Sequence, residues 1–348
     1  MMQEIGVVAR KRRATVPVRW YMTLGVVAAL VLLPRVITTP YYLHLLILVL
    51  LYVGLSSAWN LTGGFAGQLS LGHAGFFGIG AYASTLLFLN FGLSPWIGMV
   101  VGMLLAVVAG AAIGYPCFRL RGPFFALATL AFGEVLRVVS ISWRDLTQGS
   151  NGLSIPFKPG FANMMWHGKE MFFYVILVYA LVAVGIVWQI ERSRLGYYLI
   201  ALKEDDSAAR MLGIDTTRCK LYAMLISAAL TAVGGVFYAQ YVGFIEPYSV
   251  FDVNQSVQFA LISIIGGLGT VLGPVLGAFI MIPLSEMLRA AFGGAARGFH
   301  LVLYGLILMA VVMIVPQGLA LEVKDRYKRW WMARQSAISR RKGQADAV

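Results

Sequence analysis

Gly63-Gly64-Phe65-Ala66-Gly67-Gln68-Leu69-Ser70-Leu71-Gly72-His73-Ala74-Gly75-Phe76-Phe77-Gly78-Ile79-Gly80-Ala81-Tyr82 follows directly on an apolar run at 41–61. It sets seven glycines and the polar side chains Gln68, Ser70 and His73 where a second apolar run begins. Glycine weakens a helix by about 1 kcal/mol relative to alanine, so the first part of this stretch is a poor regular helix. Irregular backbone at membrane depth is tolerated only inside protein or beside a watery cavity. The segment therefore reads as a candidate wall of a translocation path. It is no nucleotide loop, because no Gly-Lys-Ser/Thr follows. His73 taken alone reads more readily as a hydrogen-bonded packing residue than as a proton relay.

The rest of the chain agrees that lipid is the solvent. Of 348 residues, 59% are hydrophobic and 12% charged, and the mean hydropathy is +0.77. An ordinary soluble domain carries roughly twice that share of charge. A bilayer span needs about 20 apolar residues. Runs of that kind fall at about 20–38, 41–61, 70–90, 95–115, 123–142, 171–190, 220–241, 254–268, 270–288 and 299–316. Pro34 and Arg35 interrupt the first, and only a glycine-rich link separates the eighth from the ninth, which reads as a span pair or a re-entrant pair. The expected fold class is an all-α polytopic membrane bundle of nine or ten spans. Arg10 to Arg13 ahead of the first run resembles a signal peptide, but no small-residue cleavage site follows Leu33, so it reads as an uncleaved span.

Charge placement orients the chain. With the N-terminus inside and ten spans, 21 of the 28 Lys and Arg lie on the inside and six outside, with Arg137 within a span. That asymmetry follows the positive-inside rule. It also accounts for the +13 net charge without nucleic acid. The organisation is then a basic cytoplasmic tail at 1–19, a membrane domain at 20–316 with a cytoplasmic loop at 191–219, and a second basic cytoplasmic tail at 317–348. Gly98 with Gly102, Gly110 with Gly114, and Gly269 with Gly273 and Gly277 have the spacing that lets helix backbones approach. Cys117 and Cys219 stand in no metal-ligand spacing and read as buried thiols.

Two further segments carry chemistry. Glu134 and Arg137 lie one turn apart within the fifth span, beside Thr129. An intramembrane charge is costly and faces protein or water, so Glu134 reads either as a path residue or as half of a structural pair. In the loop, Glu204-Asp205-Asp206-Ser207-Ala208-Ala209-Arg210-Met211-Leu212-Gly213 reads as a short helix with acids and Ser207 at its start and a glycine stop. Two turns are not stable alone. Ala208, Ala209, Met211 and Leu212 form a small apolar knob, and a capped helix projecting from the membrane needs a partner's groove. On this reading a tryptophan at Ala209 blocks docking.

The stretches GQLSLGHAGFFGIGAYAS at 67–84, ATLAFGEVLRVV at 128–139, TQGSNGLS at 147–154, SRLGYYLIALKEDDSAARMLGI at 193–214 and IGGLGTVLGPVLGAF at 265–279 together resemble the branched-chain amino acid permease family of ABC importers, specifically its LivM-type subunit. Tyr197-Tyr198 and Lys203 depart from the family's usual Arg-Ala and Arg. The resemblance implies a permease of the bacterial inner membrane that is not itself an enzyme. It implies a second, LivH-type permease, two ATP-binding subunits holding ATP and Mg, and a periplasmic solute-binding protein. This chain would bind no cofactor or metal. Lys203, Glu204, Asp205, Asp206, Ala208, Ala209, Arg210 and Gly213 would form the ATPase-coupling helix. Gln68, Ser70, Gly72, His73, Thr129 and Glu134 are the path candidates. Similar permeases move urea, short amides or other amino acids. A reading from another class is an ion-coupled secondary transporter using Glu134 or Glu286. A membrane enzyme fits least, since no His-Glu-x-x-His and no nucleophile with a recognisable base is present.

Overall fold

A computed structural model describes residues 31–35, 39–118, 120, 122–292, 299–314 and 318–322. Eleven helices are labelled: α1 Pro40–Asn60, α2 His73–Phe91, α3 Pro95–Cys117, α4 Pro123–Ser142, α5 Lys169–Glu191, α6 Arg194–Glu204, α7 Asp206–Met211, α8 Thr216–Val242, α9 Val253–Gly267, α10 Leu272–Phe292 and α11 Phe299–Ile314. Seven of them (α1 to α5, α8 and α10) are long and apolar enough to cross a membrane. With α9 and α11 they match the second to tenth expected spans. The first, at 20–38, lies outside the described residues except for a helical turn at 31–35. The terminal tails also lie outside them, apart from Gly318 to Glu322.

Helix boundaries follow from local chemistry. Pro40, Pro95 and Pro123 open α1, α3 and α4 in the first turn, where a missing N–H leaves no bond unmade. Asp215 accepts from the Arg218 amide to cap α8, and Asp252 accepts from the Asn254 amide to cap α9. Gly92 and Gly243 close α2 and α8 in the left-handed conformation. The segment quoted first divides in two. Leu61 to Phe65 continues α1 as a π-helical turn, 66–72 is non-helical, and α2 begins at His73. The eighth span is short: α9 has 15 residues, about 22 Å at 1.5 Å per residue.

Within lipid, apolar burial does not drive helix association, so close packing and internal polar contacts must. The expected small-residue seams supply the packing. A Cβ on Gly80 would lie 2.1 Å from the Ala232 carbonyl oxygen, and one on Gly235 would lie 2.0 Å from that of Phe77. These two positions bring α2 and α8 into backbone contact. Gly98 and Gly102 of α3 meet Ser84 and Gly80 of α2, while Gly110 and Gly114 meet Ala228 and Met224 of α8. In the α9–α10 pair, Gly273 and Gly277 press on the carbonyls of Gly267 and Ile262. Thus α1, α2 and α8 form the enclosed centre. Ile97, Val100, Leu104 and Val108 on α3, and Val178 and Val182 on α5, are exposed apolar rows suited to lipid. Both cysteines are free; Cys219 is buried, whereas Cys117 is only half-buried.

The link after α4 and the link after α8 join at one end of the bundle. Leu153 pairs with Ile245 and Ser154 with Phe244 as a two-stranded antiparallel ribbon, β1 and β2. An aromatic ladder seats this layer: Trp96 stacks on Phe161, Phe161 meets Trp166, Trp166 meets Phe172, and Phe172 meets Tyr241. The opposite end carries α6, α7 and the glycine links. Gly318 returns there, packed against Gly267.

Candidate functional site

The six-residue α7 is held from three sides. Asp205 caps it, its Oδ1 accepting from the amides of Ser207 (2.8 Å) and Ala208 (3.0 Å). Gly213, at φ +81°, closes it, and the Ile214 amide donates back to the Ala209 carbonyl at 3.2 Å. Asp206 bonds Lys220 of α8 at 2.9 Å and Arg210 at 2.9 Å. Arg210 Nε also donates to Thr216 Oγ1 at 2.9 Å. Burial alone would raise the Asp206 carboxyl; the hydrogen bond and charge of Lys220, with Arg210 beside it, hold it below its usual value.

This fixing decides which face is free. Ala209 is 2% exposed and shares a buried cluster with Leu199, Leu202 and Ala223. It is an inward anchor of α7, so only Ala208, Met211 and Leu212 of the expected knob face outward. Met211 is 91% and Leu212 81% exposed. Next to α7 lies an open cleft of about 640 Å³ lined by Gln68, Glu204, Asp206, Arg210, Thr217 and Lys220, among others. The stem of Lys203 packs on Gly67, and its Nζ reaches Gly269.

The two glycine-rich segments meet here, Gly64 against Gly269. Asn60, fully buried, donates through Nδ2 to the Thr270 carbonyl (2.9 Å) and accepts from the Gly269 amide (3.0 Å) through Oδ1. It clamps the turn between α9 and α10 onto the π-helical end of α1. Asn60→Leu is expected to leave that amide and carbonyl unpaired, at about 1–3 kcal/mol each. The measurement is the unfolding temperature of the detergent-solubilised protein. An unchanged temperature would mean the clamp contributes nothing.

The six path candidates separate. Gln68 is half-buried and lines the cleft beside α7. Ser70, Gly72, His73 and Thr129 are buried in a brace between helices. Trp59 Nε1 donates to the Ser70 carbonyl at 2.8 Å, and the Leu71 amide donates to Thr129 Oγ1 at 3.1 Å. Ser227 Oγ donates to the Ala58 carbonyl at 2.5 Å, so it accepts from His73 Nε2 at 2.7 Å. That assigns the Nε2–H tautomer and leaves His73 Nδ1 to accept from Ser70 Oγ at 2.9 Å. Both ring nitrogens are thus hydrogen-bonded to serine hydroxyls. Glu134 stands on an outer face of α4. Arg137 Nε donates to its Oε2 at 2.9 Å, and the guanidinium lies 5.3 Å from the Tyr248 ring centre. The pair is partly exposed among Leu127, Val135 and Val138. Lipid would penalise it there, so this side of α4 faces protein or water.

Sequence reasoning missed Asn60, Ser227 and Lys220. Asn60 and Ser227 are polar residues within apolar runs, a signal that was present. Lys220 was counted only as a loop charge, although it is 6% exposed.

A family model described as branched-chain amino acid transport system / permease component matches residues 41–314. The LivM permease protein of the high-affinity branched-chain amino acid transport system of Escherichia coli (strain K12) is 30% identical, over 78% of this chain and 68% of that protein. The LivH permease protein of the same organism is 25% identical, over 77% and 90%. The autoinducer 2 import system permease protein LsrC of Enterobacter sp. (strain 638) is 27% identical, over 58% of each. No solved structure matches the chain. With seven membrane-length helices among the described residues, the chain belongs to the branched-chain amino acid transport system permease family, as a LivM-type, multi-pass inner-membrane component of a transporter.

Proposed function

We propose that the chain is one of two permeases of an ATP-driven importer of branched-chain amino acids. Its partners are a LivH-type permease, two ABC subunits that bind and hydrolyse ATP with Mg, and a periplasmic solute-binding protein. The observation that carries this reading is α7: a helix too short to stand alone, pinned on its inner side by Ala209 and Asp206 and bare at Met211 and Leu212. An apolar tip held rigid outside the spans suits an ATPase groove. The α7 end is then cytoplasmic, as the basic residues of its loop require. The loops at about 143–169 and 242–253, joined by β1 and β2, with the link around 289–298, would receive the binding protein; 293–298 lie outside the described residues. The α4 face bearing Glu134 would meet the second permease across the path. Leucine, isoleucine and valine need only a weakly polar path there.

Two observations bear on the alternatives. Glu134 and Glu286 each pair with an arginine three residues on, Glu286 with Arg289 at 3.2 Å. A carboxylate already paired is poorly suited to carry a coupling ion. A relative named for autoinducer 2 import keeps other substrates, urea and short amides included, as the second reading. The test is mild-detergent purification of the tagged chain from its host, with mass spectrometry of what accompanies it. An ABC ATPase and a second permease are expected. Recovery of the chain alone, while a control ABC complex survives, would overturn the reading. So would uptake that collapses with a protonophore while ATP is maintained.

A further inference from the structure

We propose that Lys220 is the positioning residue that makes α7 and α8 one moving body, so that motion at the ATPase end reaches the brace around His73. The inference rests on α7 being the ATPase-docking helix. Between α7 and α8 the chain runs through Leu212 to Asp215, a short non-helical link. Alone, such a link bends. The rigid connection is the ion pair of Asp206 Oδ1 with Lys220 Nζ at 2.9 Å, in which the lysine side chain is 8% exposed. The lysine side chain is the buried partner, and a buried ammonium that loses its counter-charge is strongly disfavoured. The pair therefore resists separation of α7 from α8.

From Lys220 the connection runs along one face of α8. Ser227 stands seven residues on, two turns up the same side. It accepts from His73 at the first turn of α2 and donates to Ala58 near the end of α1. A displacement of α7 is carried through Lys220 to α8, and through Ser227 to α1 and α2, the helices on either side of the non-helical 66–72. Lys203 grips the same region from α6, its stem on Gly67. Arg210 adds a second bond from α7 to the start of α8 at Thr216, but it is more exposed, at 50% of its side chain.

The experiment uses the complete transporter in proteoliposomes, with ATP hydrolysis and amino-acid uptake measured together. Lys220→Met keeps the apolar stem, and Asp206 retains Arg210, so folding and ATPase association are expected to persist. Molecules of ATP hydrolysed per substrate moved should rise at least about fivefold, the lower end of coupling between sites. Lys220→Arg should restore the wild-type ratio, which a loss of general stability would not explain. A wild-type ratio in Lys220→Met overturns the proposal. If Lys220→Met fails to assemble, Asp206→Asn is read by the same ratio, with the same outcomes. A wild-type chain that never associates with an ATPase defeats the reading of α7 instead, before any variant is compared.

Discussion

Gly72→Leu is expected to abolish uptake while the chain still inserts in the membrane. A Cβ at Gly72 would lie 2.5 Å from the Thr129 carbonyl oxygen, 3.1 Å from its carbon and 3.2 Å from the Thr129 Cβ. Two of these atoms are backbone of α4, so no rotamer relieves the contact. Relief requires α4 to move away, which breaks the bond from the Leu71 amide to Thr129 Oγ1 and disturbs the adjoining Ser70–His73–Ser227 chain. Overpacking of this kind costs about 1–3 kcal/mol for added methylenes, and more where backbone is struck. About 3 kcal/mol against the competent arrangement is roughly a hundredfold loss of its population. Insertion survives because Gly72 lies in the non-helical link between α1 and α2, outside both membrane-length helices. Gly133→Ala is the control: a Cβ there meets only the Gly72 Cα, at 3.8 Å, and uptake should stay near wild type. Whole-cell uptake with the amount in the membrane fraction measures both. Near-normal uptake by Gly72→Leu would show that the α2–α4 contact is loose.

That contact also marks where sequence reasoning stops. Spans from 41 onward were legible because length and hydropathy alone define them, and the glycine pairs on α3 because their spacing puts them on one face. The glycine stop of α7 was legible because caps are local, but its start was read too early: Lys203 and Glu204 end α6, and Asp205 caps α7. What one side chain does across the bundle was not. Glycine with scattered polar residues reads as a watery wall, and in the structure Ser70, His73 and Thr129 of that reading are buried and bonded across helices, while Gln68 lines the open cleft. The difference lies in Ser227, 154 positions from His73, and in Asn60, whose acceptor Thr270 is 210 positions away. Ala209 failed for another reason: two turns of helix are too few for periodicity to assign an inner face. The pairing of Glu134 with Arg137 needed no distant information and was read correctly as an available contact.

The second large effect is expected at the tip of α7. Met211→Gln with Leu212→Gln should release the ATPase without unfolding the permease. Neither side chain supports the fold, since 91% and 81% of them lie open, while Asp205, Asp206 and Ala209 keep their contacts. Glutamine is chosen because glutamate would add a negative charge at a helix C-terminus, itself unfavourable by about 0.3–1 kcal/mol. Burying a Met or Leu side chain is worth about 1.5–3 kcal/mol, so losing both weakens docking by roughly 10²- to 10⁴-fold. Copurification of the ATPase should vanish and uptake with it, while the melting temperature of the isolated permease stays put. Ala209→Trp separates the face that docks from the face that anchors. Its indole would have to enter the cluster of Leu199, Leu202 and Ala223, so the melting temperature should fall together with uptake. If Ala209→Trp left stability unchanged and only docking failed, Ala209 would belong to the partner's side of α7. If the double glutamine variant still held its ATPase, the exposed tip would not be the contact, and the reading of α7 as the docking helix would have to be given up.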